Sequence, residues 1–174
     1  MHIKDWISLL KIFHRVSLQT VLTPVLDKLR ISHTQFSCLQ YISLHPGYSV
    51  INISKAFSIS TAAATTLVDR LVRLGLINRV PNPEDMRLVK LNLTQKGNRI
   101  VRSVTDFEEK QWQSFLDRMQ PRNVKALVSE MTGLIRIMLD DCKEKEKICL
   151  HCGFLHNDEC PLSMIVGEEN CNLG

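Results

Sequence analysis

The chain has 174 residues, 44% of them hydrophobic, with a formal net charge of +4 and a pI near 8.8. That hydrophobic fraction supports a buried core and excludes a disordered chain, while the mild basic bias suits a nucleic-acid partner without specifying one. No apolar run reaches the length of about 18 residues that a membrane span needs, and the length fits one domain with a small appendage.

The N-terminus is apolar in patches (Trp6, Ile7, Leu9, Leu10, Ile12, Phe13), but Lys4, Asp5, Lys11, His14 and Arg15 interrupt it. It reads as an amphipathic helix rather than a signal peptide, so a cytoplasmic location is expected. Helical spacing continues from Asp5 to about Leu29, with Pro24 expected to kink or divide the helix. Ser32 is the expected N-cap of a second helix, with Phe36, Leu39, Ile42 and Leu44 facing inward and Pro46-Gly47 ending it. A short helix follows over Val50 to Phe57, and Ser58-Ile59-Ser60 forms a tight turn. The next helix is expected from Thr61 to Leu74, capped by Ser60 and stopped by Gly75, with Ala64, Leu67, Val68, Leu71 and Leu74 inside. Strand-like runs at Leu76 to Val80 and Leu88 to Leu93 flank the turn-rich loop Pro81 to Arg87. Thr94 then caps a long helix from Gln95 to Met119. A last helix runs from Pro121 to Cys142, and the charged run Lys143 to Lys147 closes it. The only composition shift falls near residue 143, which divides a body, 1–142, from a tail, 143–174.

Two short helices joined by a tight turn and followed by a hairpin suit a winged helix-turn-helix. The second helix must enter a major groove about 12 Å wide, so its outer face must be compact and polar. Thr61, Ala62, Ala63, Thr65, Thr66 and Asp69 form such a face, and Arg70 and Arg73 add positive charge half a turn later. Hydroxyls can reach phosphates or base edges, and Thr and Ala methyls can pack on thymine methyls. Arg87 on the hairpin loop can reach a narrow minor groove. Spacing alone fits equally well a helical bundle with a solvated Thr/Ala face and an incidental hairpin.

Five stretches carry a family resemblance. They are Ile53–Phe57, Ser60–Leu71, Gly75–Arg79, Pro83–Arg87 and Leu93–Gly97, and the most specific marks are Asp85-x-Arg87 and Leu93-Thr-Gln-Lys-Gly97. Together they resemble the MarR family of bacterial regulators over about residues 5 to 142. The resemblance implies a mainly α fold with a small β-hairpin wing, and a homodimer held by the N-terminal helix and the last two long helices. It implies that Ser60, Thr61, Ala62, Thr65, Thr66 and Arg70 face double-stranded DNA. Arg87 would be the wing-tip arginine, held by Asp85, with Arg79 and Lys90 near phosphates. Family members often carry Arg or another long polar residue at the positions of Thr61 and Thr66. Their absence predicts an A·T-leaning inverted repeat with half-sites about one helical turn apart.

The tail adds Cys149-Leu-His-Cys152, Cys160-Pro161 and Cys171, a Cys-x2-Cys-x7-Cys-x10-Cys pattern. In a reducing compartment such cysteines are metal ligands or free thiols rather than disulfides. A segment so poor in large apolar side chains needs a staple, and metal binding supplies one. A [4Fe-4S] cluster accepts four thiolates at irregular spacing and often has Pro after a ligand Cys. A four-Cys Zn2+ site is the alternative, although zinc ribbons usually carry two Cys-x2-Cys knuckles. Free thiols on a mobile tail are the third reading, and His151 and His156 lie among the cysteines as supporting or solvated groups. Cys38 is expected to be buried and inert, and Cys142 a spare ligand. The resulting expectation is a dimeric repressor whose cluster senses redox state, oxygen or iron. One alternative is a zinc-stapled regulator controlled by a small molecule bound between the lobe and the dimer helices. A redox enzyme or electron carrier is remote, because no nucleotide-binding glycine loop and no convincing triad accompany the cysteines.

Overall fold

The computed structural model describes residues 3–81 and 89–142. In chain order these form α1 (Ile3–Ser17), a five-residue π-turn (Leu18–Leu22), α2 (Thr23–Leu29), α3 (His33–Leu44), α4 (Val50–Ala56) and α5 (Thr61–Arg73). Strands β1 (Ile77–Pro81) and β2 (Val89–Leu93), then α6 (Gln95–Leu116) and α7 (Pro121–Asp140), complete them. The strands pair antiparallel, with Ile77 opposite Leu93 and Pro81 opposite Val89. The loop after α3 extends the hairpin, because the Gly47 N–H donates to the Leu91 carbonyl and the Leu91 N–H donates to the Tyr48 carbonyl.

Each helix of the lobe from α3 to α6 begins where a short polar side chain can take over an orphan backbone group. Ser32 and Gln35 make a reciprocal capping box on α3. The Ser49 N–H and hydroxyl both donate to the Asn52 side chain at the start of α4. The Ser60 hydroxyl oxygen accepts from the Ala63 N–H on α5 at 3.2 Å, and Thr94 accepts from the Gly97 N–H on α6 at 3.0 Å. The core joins α2, α3, α4, α5, the hairpin and α6 through Leu26, Phe36, Leu39, Ile53, Val68, Leu71, Leu76, Leu91 and Val104. Burying each of the larger side chains contributes about 1.5–3 kcal/mol.

Several expected boundaries shift. The N-terminal helical segment is divided at Pro24, one of the two expected outcomes: Pro24 stands in the first turn of α2. The π-turn directly before it, where the Thr23 N–H reaches back to the Leu18 carbonyl, is unexpected. Leu74, expected inside, is 39% exposed, because α5 closes there through a C-terminal cap. The Gly75 N–H donates to the Val72 carbonyl and the Leu76 N–H to the Leu71 carbonyl, with Gly75 at φ +69°. Leu44 is half-buried rather than core. The long helices end at Leu116 and Asp140, short of Met119 and Cys142.

Candidate nucleic-acid interface

The turn between α4 and α5 is built on Ser58, whose φ of +52° is left-handed. The Ser58 N–H donates to the Lys55 carbonyl and the Ile59 N–H to the Ser54 carbonyl, which closes α4 and turns the chain into α5. Ala64, Val68 and Leu71 then bury one face of α5. The opposite face exposes Thr61, Ala62, Ala63, Thr66, Arg70 and Arg73, with Thr65 half-buried beside them. Of the expected contact residues, Ser60, Thr61, Ala62, Thr65, Thr66 and Arg70 therefore lie together. The Thr65 hydroxyl donates to the Thr61 carbonyl at 2.8 Å, and the Thr66 hydroxyl to the Ala62 carbonyl at 3.0 Å.

The hairpin is fastened to this helix. The Arg79 guanidinium on β1 meets the Asp69 carboxylate on α5 at 2.7 Å. Both side chains are about two-fifths exposed (38% and 43%), so the pair adds at most about 1 kcal/mol of stability. Its effect is positional, since it fixes the base of the wing against α5. Sequence spacing does not predict this pairing. Asp69 reads as a lone charge on the outer face and Arg79 as a phosphate ligand, and only their opposite signs on successive elements hint at the link. Lys90 lies on β2 opposite Val80, its aliphatic stem alongside Gly47. Asp85 and Arg87 lie outside the described residues, as does Leu88.

A second fastening explains the Leu93-Thr-Gln-Lys-Gly97 signature. The Thr94 hydroxyl donates to the Gly75 carbonyl at 2.7 Å, and the Lys96 ammonium donates to the Leu74 carbonyl at 2.9 Å. A Cβ on Gly97 would collide with the Leu76 carbonyl oxygen. Thus the start of α6 caps the end of α5 and packs directly on the backbone leading into β1.

Cys149, Cys152, Cys160 and Cys171 lie outside the described residues, as do His151 and His156. Among the described residues no group of three His, Cys, Asp or Glu side chains is gathered as a metal site. Cys38 is buried and Cys142 half-buried, both as free thiols. No helix among the described residues is long and apolar enough to cross a membrane. A cleft of about 170 Å³ lies between α2 and α6, lined by Pro24, Val25, Lys28, Leu29, Ser103 and Phe107.

Residues 31–89, which run from the start of α3 to the start of β2, match the MarR family. The multiple antibiotic resistance protein MarR of Salmonella typhimurium is 36% identical over 77 residues, covering 44% of this chain and 54% of that protein. The chain thus spans about half the length of the curated relative it matches. The fold extends further than the sequence likeness. RV1404 of Mycobacterium tuberculosis superposes with a TM-score of 0.71 at 24% identity, covering 78% of this chain and 93% of that one. A mutant of MepR from S. aureus, solved bound to an oligodeoxyribonucleotide, gives a TM-score of 0.63 at 21% identity over 76% of this chain and 97% of that one. The family match thus covers residues 31–89, and the likeness of fold to these solved structures extends over about three quarters of the chain.

Proposed function

We propose that this chain is a transcriptional regulator, a repressor that binds an inverted-repeat duplex as a homodimer. The observation that carries the reading is the compact outer face of α5, tied to the hairpin by Asp69–Arg79 within the segment that matches the MarR family. The likeness to DNA-bound MepR supports the same geometry. Dimerisation is supported by apolar side chains that the single chain leaves outside: Ile7, Leu10 and Phe13 on α1, and Val128, Ile137 and Met138 on α7. In this reading α5 enters the major groove, Arg70, Arg73 and Lys90 act at the backbone, and the wing residue Arg87, held by Asp85, acts at the minor groove.

Fluorescence anisotropy with a random-sequence duplex across a salt series tests the reading. Affinity should fall steeply with salt, and Arg79→Ala should weaken binding to all sequences alike and lower the salt slope by about 1. A protein that binds no duplex at low salt is not this regulator.

The tail extends the proposal. Cys149, Cys152, Cys160 and Cys171 would hold a [4Fe-4S] cluster that tunes DNA affinity, with a structural Zn2+ as the competing occupant; ligand chemistry and spacing are the support. Brown, anaerobically purified protein containing iron and sulfide favours the cluster, and colourless protein with one zinc per chain favours the alternative. A small-molecule effector has a place to act in the cleft between α2 and α6, where Lys28 supplies a cation beside apolar walls.

A further inference from the structure

The two threonine hydroxyls at the middle of the exposed face of α5 are already engaged. Thr65 donates to Thr61 and Thr66 to Ala62, so each hydroxyl proton is held on the helix's own backbone. Each threonine keeps oxygen lone pairs and a γ-methyl for anything that approaches from outside. Ala62 and Ala63, both exposed, add two more methyls. The Ser60 oxygen is occupied as the N-cap acceptor. From Ser60 to Thr66 the exposed side chains include no amide and no guanidinium, and the first long donor is Arg70.

In a helix-turn-helix the N-terminal half of the recognition helix meets the base edges. Guanine offers the paired acceptors O6 and N7, which call for a bidentate donor. This half of α5 has only single hydroxyl donors at its start. Thymine is the base whose major-groove edge carries a methyl group. Its partner adenine presents an N6 amino group, which a threonine lone pair can accept.

We propose that Thr65 and Thr66, flanked by Ala62, determine specificity by reading the C5-methyl groups of thymines in the major groove. The inference rests on the DNA-binding reading above. It makes T·A preference a matter of methyl contact rather than of DNA shape.

The test uses the full chain and a duplex selected from a random pool, with affinity measured at one fixed salt concentration. Replacing half-site thymines by deoxyuridine removes the methyls and leaves the pairing intact. Each buried methyl should count for about fourfold in affinity, so two half-sites should lose about tenfold or more. The same replacement in the flanks should change little. The double variant Thr65→Ser, Thr66→Ser keeps the back-bonded hydroxyls and loses the methyls. It should discriminate thymine from uracil duplexes far less than the wild-type chain does, with only the alanine methyls left to meet the thymine methyls. Exchanging a half-site T·A for C·G should weaken binding, and 5-methylcytosine at that position should restore part of it. Equal affinity of the wild-type chain for thymine and uracil half-sites overturns the inference and leaves DNA binding standing. So does selection of guanine-rich half-sites. Failure to bind any duplex at low salt overturns the DNA-binding reading, and this inference with it.

Discussion

Cys38 sits in the core of the lobe, and burial pushes its thiol up to about 12. A protonated thiol is a poor nucleophile, so this cysteine is unsuited to oxidant sensing. Iodoacetamide at mildly alkaline pH should label Cys38 far more slowly in the native protein than after denaturation, as read by peptide mapping. Fast native labelling would contradict the buried position. The same shift has a consequence for stability. Because the folded pKa lies above the unfolded one, Cys38 contributes its full share below pH about 9 and loses it as pH rises toward about 12. Denaturation midpoints should decline through that window, and less so in Cys38→Ala. At this scale the sequence is informative about side chains whose role is local. Ser32, Ser60 and Thr94 read as caps, and each caps its helix. It is uninformative about Asp69, because an ion pair between a helix and a strand depends on how the two elements pack, which no local pattern encodes.

Three elements, α2, α4 and α5, end in the same way, with a left-handed residue and two backward hydrogen bonds. The left-handed residues are Arg30, Ser58 and Gly75. All three stops are legible in sequence to within a residue, but only the glycine announces the left-handed conformation itself, which Arg30 and Ser58 do not. Pro24 is legible because a proline is tolerated in a first turn and disruptive later, so it marks the start of α2. The π-turn before it leaves no signal in the periodicity of the N-terminal segment. The contact of α6 with the backbone before β1 leaves no room for a Cβ at Gly97. Gly97→Ala should cost about 1–3 kcal/mol, because the Leu76 carbonyl cannot yield without moving the strand. Gly75→Asn, where nothing crowds the added Cβ and Asn tolerates the left-handed region, should cost much less. Denaturant titrations of the two variants check the contrast.

Across the described residues, the outward face of α5 is legible from hydrophobic periodicity. The fold class is legible only through the family resemblance, because periodicity alone leaves a plain helical bundle open. The proposed dimer belongs to this scale, since α1 exposes Ile3, Ile12 and Val16 and α7 exposes Val128, Ile137 and Met138. A charge placed there should leave a single chain folded and abolish self-association. Val128→Glu with Ile137→Glu should sediment as a monomer with an unchanged helical circular-dichroism spectrum. A dimer that persists would place the interface elsewhere.

The π-turn at Leu18–Leu22 links these outer helices to the lobe. A turn of this kind holds one residue more than the α-helical ladder, and each residue of a helix advances the azimuth by about 100°. The chain therefore changes phase between α1, which has no buried residue, and α2, which buries Val25 and Leu26 in the lobe. Like a splice in a screw thread, the extra residue lets one continuous helical rod present its greasy stripe in two directions. Deleting the exposed Gln19 should restore an unbroken ladder and swing α1 by about 100°. The lobe should fold as before, and two copies should meet with their stripes misaligned.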